Sequence, residues 1–406
     1  MSGSNDAAGT TDSIWRDLAE HATLPFDDGR MLPPGAYTSS SVLAAEHRRI
    51  FASEWSCVGR TADVPNRGDY LTAEVPSTDA TQPDGHRSIV VVRGDNGSLS
   101  AFDNVCVHRG SPLLAGCGNE ARITCPYHAW VYRLDGQLIG APYMNRTVDG
   151  DGRAFDAADH HLVSLRLEEW EGFLFVNQDP DAADLGPRLR GLGDVVGRYR
   201  MAGYVPVHRQ IDVWDTNWKL LYENFMDAYH VFKVHKNSFA KHGDNTLETT
   251  MHPGTEHFAY HLVGHDAGAS SGVAHPSNTS LDGEWRHTIV LGAAFPTHVM
   301  QLQPDWLWYL QLSPIGVNRV RIRWDVSVAP EVLADQPHPA AYVANLLDLL
   351  NIVNSEDRPI VEGVFRGVQR TTLQRGPLSY YERNVYDFDR YIARSLTGDS
   401  TTAPDA

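Results

Sequence analysis

The 406-residue sequence is short of several things at once. Its four cysteines are too few for the disulfide framework of a small secreted fold, and they place the chain in a reducing compartment, the cytoplasm. No apolar run is long enough to span a bilayer. Residues 1–13 are polar and small, without the basic start and apolar centre of a signal peptide, and read as a disordered tail. Positive charge is scarce too: 34 Lys and Arg stand against 51 Asp and Glu, a formal net charge of −17, which argues against nucleic acid or an anionic membrane as partner. A dinucleotide signature is also missing. Gly191-x-Gly193-x-x-x-Gly197 departs from the G-x-G-x-x-G spacing and follows residues 187–190, which are no core strand. It reads as a loop or helix end, leaving no site for a nicotinamide or flavin. What remains, 42% hydrophobic and 21% charged residues, suits a soluble globular chain of two or three domains.

What is present begins at Cys106-Val107-His108, followed after sixteen residues by Cys125-Pro126-Tyr127-His128. Cys-x-His and then Cys-x-x-His supplies two thiolates and two imidazoles, the ligand set of a Rieske 2Fe-2S cluster with two Cys on one iron and two His on the other. Structural zinc uses the same residue types. Zinc modules, however, pair like with like in each loop, whereas each loop here carries one Cys and one His. Imidazole ligation raises the potential above that of an all-thiolate ferredoxin, so such a centre passes single electrons without being a strong reductant. Gly116, Gly118 and Pro126 read as the residues that tighten and stiffen the backbone around the sulfurs, although each alone is an ordinary turn residue. Short strands at 55–60, 70–75, 89–93, 99–104, 130–132 and 138–139 surround these loops, with Gly94-Asp95-Asn96-Gly97 and Asp135-Gly136 as hairpin turns. The expectation is a lead-in over 1–49, a small all-β module over 50–163, and a surface insertion at 77–88.

A second domain is expected over 164–406. It has a buried strand at 172–177 and antiparallel strands at 306–312 and 320–328, one face buried and the other wet. An amphipathic helix follows at 339–354 and another starts near Pro359. The fold class is α+β, with the small all-β domain ahead of a helix-on-antiparallel-sheet domain. The chemistry concentrates in 217–235. Two His and one carboxylate on one face of an octahedron form the facial triad by which non-heme Fe(II) keeps positions open for O2 and substrate, and His230 and His235 supply the imidazoles. On a straight helix they would stand about 140° apart, so the helix is expected to end or distort just after His230. Asp227, three residues earlier, shares the face of His230.

Together, C-x-H-x16-C-x2-H and N-W-K-L-x-x-E-N-x-x-D-x-Y-H-x4-H resemble the catalytic subunit of the Rieske non-heme iron oxygenases, in a layout running from about residue 51 to the C-terminal helix. The resemblance implies that Cys106, His108, Cys125 and His128 hold the cluster and that His230 and His235 hold iron. It implies Asp357, in the E-D-x4-E segment 356–362, as third ligand; read from the residues alone, Asp357 could equally cap the helix near Pro359. It further implies that Asp227 links His230 to His128 of the partner subunit, and hence a head-to-tail ring, most often a homotrimer. O2 would be cosubstrate, with NAD(P)H acting only indirectly through a separate reductase or ferredoxin, and the product a hydroxylated or oxidatively demethylated small molecule. Chain length and spacing are similar to the choline, glycine betaine and carnitine monooxygenases and related demethylases. In that case Trp285, Trp306, Trp308 and Tyr309 could box a quaternary ammonium; alternatively, Trp306 and Trp308 are sheet core. Aromatic-ring dihydroxylating dioxygenases share the ligands, so mono- against dioxygenation stays open. A plain electron carrier would not need the second ligand set.

Overall fold

The computed structural model describes residues 5–77, 85–148, 151–239, 248–264, 272–370 and 373–398, with side chains from Asp12 onward. Two compact units share the chain: one holds residues 52–77 and 86–185, the other those up to Phe51 and from Gly186 on. No described helix is long and apolar enough to cross a membrane, and all four cysteines are free thiols.

In the first unit seven antiparallel strands lie in the order Ser56–Arg60, Phe173–Asn177, Ser164–Trp170, Leu99–Asp103, His86–Arg93, Asp69–Pro76, Cys117–Asn119. Alternation along His86–Arg93 explains its two-sided burial. Ile89 and Val91 join Val58, Leu71, Leu174 and Val176 in one apolar cluster, while Val90 and Val92 join Phe102, Ile123, Trp130 and Tyr132 in another. The second cluster also contains Cys106 and Cys125. It is topped by a three-stranded sheet of Ile123–Thr124, Val131–Tyr132 and Leu138–Gly140. The strands beyond 163, assigned to the second domain from sequence, complete this first sheet instead. Glu171 and Gly172 both take positive φ, 49° and 79°, and this two-residue turn folds Phe173 back onto Trp170 as a hairpin. Of the expected insertion at 77–88, Ser77 directly follows the strand that ends at Pro76, and residues 86–88 already belong to the strand His86–Arg93; residues 78–84 lie outside the described residues.

The second unit is built on another seven antiparallel strands, in the order Val205–Trp214, Val320–Val328, Trp306–Pro314, His298–Leu302, Thr288–Ala294, Phe258–Gly264, Thr249–Met251. Helices Trp218–Met226, Pro339–Val368 and Arg383–Thr397 belong to the same unit. The face expected to be wet is largely dry. Asp325 and Ser327 are buried, because Asp325 gathers Arg209, Arg323 and the Tyr309 hydroxyl on that side. Those two guanidiniums outweigh burial and hold its carboxyl below the usual range.

Three helical expectations are corrected. The chain is helical from Asn5 to His21 rather than a disordered tail to residue 13; Leu18 and His21 are fully buried, and Arg375 donates to His21 Nδ1 at 2.6 Å. The glycines 191 and 193 lie within helix Leu185–Val196 rather than in a loop or at a helix end, and a Cβ on Gly191 would meet the Phe258 ring at 2.9 Å, so the glycine buys close helix-to-sheet approach. Finally, no second helix starts at Pro359. One helix runs from Pro339 to Val368 with the proline inside. Leu346, Leu350, Val353, Asp357, Val361, Phe365 and Val368 form a single buried stripe along it, and packing of that stripe outweighs the roughly 3 kcal/mol by which an internal proline disfavours a helix.

Candidate metal centre and substrate cavity

The two cysteine loops are built alike. Gly110 N–H donates to Cys106 O at 2.9 Å and Cys106 N–H to Ser111 O at 2.8 Å; Ala129 N–H donates to Cys125 O at 3.1 Å and Cys125 N–H to Trp130 O at 2.8 Å. The left-handed turns that this needs fall at Gly110, φ 72°, and Ala129, φ 56°. Of the two glycines suggested by sequence, Gly116 also takes a left-handed φ, 67°, though outside these two hydrogen-bonded turns, while Gly118 is strand, and its missing Cβ makes room for the Tyr70 ring. Burial opposes ionisation of Cys125, but the backbone N–H groups of His128 and Tyr127 point at its sulfur and draw the thiol below its ordinary value. The Tyr132 hydroxyl lies 3.2 Å from Cys106 Sγ.

His108 stacks on the Trp130 indole at 4.6 Å and 2° and meets His128 at 4.7 Å between ring centroids. Both imidazoles bury Nδ1 with no hydrogen-bond partner among the described residues. Two dry, unmatched nitrogens beside two buried sulfurs are what a cluster held by two thiolates and two imidazoles would satisfy.

In the second unit, Asn217 caps helix Trp218–Met226 by accepting from Lys219 N–H at 3.1 Å. The helix ends at Met226, with Asp227 as its C-cap, and His230 precedes the separate turn Val231–Val234. The break expected after His230 therefore comes earlier, and Asp227 and His230 share no helix face. They meet through the turn instead. Tyr229 N–H donates to Asp227 Oδ1 at 2.5 Å, leaving Oδ2 3.2 Å from His230 Nδ1. His235 Nδ1 lies 3.0 Å from Glu356 Oε2, which also accepts from the Ser238 hydroxyl at 2.5 Å.

A carboxylate on each Nδ1 assigns the proton there and leaves both Nε2 atoms as lone-pair donors. These two nitrogens face each other at 3.1 Å. Asp357 Oδ1 stands 3.2 Å from His235 Nε2 and 3.6 Å from His230 Nε2, and Asn224 Nδ2 donates to the same oxygen at 3.4 Å. Three converging lone pairs repel one another unless a cation lies among them. Adjacent octahedral ligands about 2.1 Å from a metal stand about 3 Å apart, so the spacing fits. Burial disfavours charge on His235, yet Asp357 and Glu356 together raise its pKa above the ordinary value.

The trio opens on a cavity of about 70 Å³. Its roof carries Asp227, His230, His235, Phe225 and Asp357. Its floor is the sheet: His261, Leu291, Gln301 and Trp308 stand directly opposite one another across four strands, and Thr249, Val263 and Ile289 form the neighbouring row. Of the expected aromatic box only Trp308 lines this cavity, 5.3 Å from Phe225. Tyr309 turns to Asp325, and Trp285 lies beneath the Arg198 guanidinium at 3.8 Å. The box is therefore not assembled among the described residues: Tyr309, next to Trp308 on its strand, points to the opposite face, Trp306 does not line the cavity, and Trp285 lies outside the strands.

Sequence reading did not single out Glu356 and Ser238 behind His235, nor His261 and Gln301 on the floor. A signal existed for the helix. Asp357 interrupts an otherwise apolar stripe, and a carboxylate in such a place needs partners.

Two family descriptions match the chain: the Rieske 2Fe-2S domain over residues 54–163 and the ring hydroxylating alpha subunit catalytic domain over residues 197–398. The carnitine monooxygenase oxygenase subunit of Escherichia coli (strain K12) is 36% identical over 211 residues, half of this chain and 52% of that protein; the match thus spans about half the relative's length. The corresponding subunit of Acinetobacter baumannii is 29% identical over 89% of this chain and 94% of its own length. A solved quaternary ammonium Rieske monooxygenase, described for carnitine oxidation and inter-subunit electron transfer, superposes with a TM-score of 0.77 at 24% identity over 94% of this chain and 98% of its own, which is a likeness of fold. With both domain descriptions met in order along one chain, this protein belongs to the Rieske non-heme iron oxygenases, as a catalytic alpha-type subunit.

Proposed function

We propose that this chain is the oxygenase component of a multicomponent system, hydroxylating or oxidatively demethylating a small organic molecule with O2 and electrons from a separate reductase or ferredoxin. Cys106, His108, Cys125 and His128 would hold the 2Fe-2S cluster, and His230, His235 and Asp357 the ferrous ion. When bound, these groups supply one-electron storage and O2 activation at a site with open positions. The observation that carries the reading is the convergence of two Nε2 atoms and one carboxylate oxygen at 3.1–3.6 Å on the wall of a cavity whose floor is mostly apolar.

The protein's own residues then have definable tasks. Asp227 and Glu356 accept from the two Nδ1–H groups and fix ring tautomer and orientation. Leu291, Val263, Ile289, Phe225 and Trp308 exclude water from the space over the trio. We assign to Asp227 the further task of meeting His128 of the partner subunit in a head-to-tail homotrimer, a reading supported by its place at a helix end with one oxygen already on His230. Four free thiols suit the cytoplasm.

Product analysis under isotope-labelled O2, with a surrogate reductase and a panel of ammonium, aromatic-acid and methyl-ether substrates, tests the proposal. Label in a hydroxylated or demethylated product is the expected outcome. Product carrying oxygen only from water would contradict it.

A further inference from the structure

Two polar side chains on the cavity floor have no partner for their free ends among the described residues. His261 is 1% exposed. Its Nδ1 meets Asn384 Oδ1 at 2.9 Å, and the Asn384 amide is held that way round because its Nδ2 donates to His252 O at 3.2 Å. The proton therefore sits on Nδ1, and Nε2 presents an acceptor lone pair. Gln301, 4% exposed, stands on the same cross-strand row with Leu291 between the two. Its amide bonds to no described residue. Both line the cavity, on a floor otherwise made of Thr249, Val263, Ile289, Leu291 and Trp308. Their free ends open onto the cavity, where they can pair with whatever enters it, and a ligand that leaves them unmatched loses those hydrogen bonds.

From this placement we infer that His261 and Gln301 are the substrate's polar anchor, and that the substrate carries an uncharged hydroxyl or amide group that donates to His261 Nε2 and meets the Gln301 amide. Its apolar remainder lies over Val263, Ile289 and Leu291, below the ligand trio. The inference rests on the oxygenase reading above. A quaternary ammonium head has no N–H or O–H to offer Nε2, and the two carboxylates on the cavity wall, Asp227 and Asp357, already serve His230 and His235. A site built around placed polar groups rejects analogues that leave them unpaired.

Calorimetric titration of the purified, metal-loaded protein with three near-isosteric probes tests this: 3,3-dimethylbutan-1-ol, its methyl ether, and trimethyl(propyl)ammonium, which carries the charged head without a hydroxyl. The alcohol is expected to bind about tenfold tighter than the ether, which has no hydroxyl proton, and tighter than the ammonium ion. His261→Phe should weaken the alcohol about tenfold while leaving the ether unchanged, and Gln301→Leu should also weaken the alcohol about tenfold. Equal binding of alcohol and ether by the wild type overturns the inference, and so does tighter binding of the ammonium ion or no binding of the alcohol at millimolar concentration. The wild-type comparison needs no variant to fold. Iron content separates the two readings: a full trio with no alcohol preference sinks the anchor alone, whereas a wild type without the third iron sinks the oxygenase reading itself.

Discussion

At the scale of single residues, what the sequence offered was the set of residues proposed here as metal ligands. What was not legible was the set of groups that aim them. Cys106, His108, Cys125 and His128 stand out by spacing, because a cluster needs two short loops with one thiol and one imidazole each. Glu356 does not stand out, since its use depends on His235, 121 positions earlier in the chain. Its 3.0 Å contact with Nδ1 and the Ser238 hydroxyl behind it set the ring's orientation. Glu356→Ala is therefore expected to lower iron affinity at the trio by roughly 10–100-fold while leaving the cluster's colour intact. Titration of metal-free protein with ferrous iron, read by bound iron per chain, measures this, and an unchanged affinity would remove Glu356 from the site.

At the scale of elements, strands and helices were mostly readable, and the errors lie where two local rules compete. Pro359 suggested a helix start, but a seven-residue buried stripe carries the helix through it. The 217–235 segment suggested one helix to His230, but the chain leaves helix at Met226 and re-enters at Val231, which frees Asp227 and His230 to meet through a turn. The face parity of strands was readable, whereas the cross-strand row His261, Leu291, Gln301, Trp308 was not, because it depends on the register of four strands. Asn217 fixes where the helix before the trio begins. Its Oδ1 caps Lys219 N–H, and its Nδ2 donates to Tyr37 O and Val317 O. Asn217→Ala should cost about 1 kcal/mol for the cap and about 1–3 kcal/mol for the carbonyls left unmatched. Thermal unfolding should show the loss as a lower Tm, and an unchanged Tm would contradict the account of this helix.

At the scale of the whole molecule, the net charge and the two-domain layout were readable, while the buried ionisable groups were not, since burial is a property of the packed chain. Burial pushes the Glu223 carboxyl up to about 8 and Asp389 upward as well, with the Glu223 charge adding to it. Burial, with Arg375 beside it, pushes His21 down to about 3, and burial pushes His261 down to about 4. A carboxyl with raised pKa binds its proton more tightly when folded, so its stabilisation fades as pH rises from its ordinary 4.5 toward 8. A histidine with lowered pKa has the opposite effect, and stability fades as pH falls from its ordinary 6.5 toward 3 or 4. The two trends oppose each other between 4.5 and 6.5, so Tm should be highest in that range and decline above it. Glu223→Gln should make the decline above 6.5 shallower; an unaltered slope would rule out Glu223 as its source. Between copies of the chain, Asp227→Asn should keep iron at both sites yet slow turnover, measured as substrate-dependent oxidation with a surrogate reductase. Turnover at the wild-type rate would exclude Asp227 from electron delivery.

The account as a whole depends on two separate metal sites on one chain, and metal analysis of the purified protein tests that most directly. Wild type should contain about three irons per chain, two of them with inorganic sulfide. His230→Ala should lose the one without sulfide and keep the cluster's visible absorption, whereas Cys125→Ser should lose the absorption and keep a single iron. If His230→Ala retains all of its iron, or if either variant loses both kinds together, the two sites are not the independent centres described above.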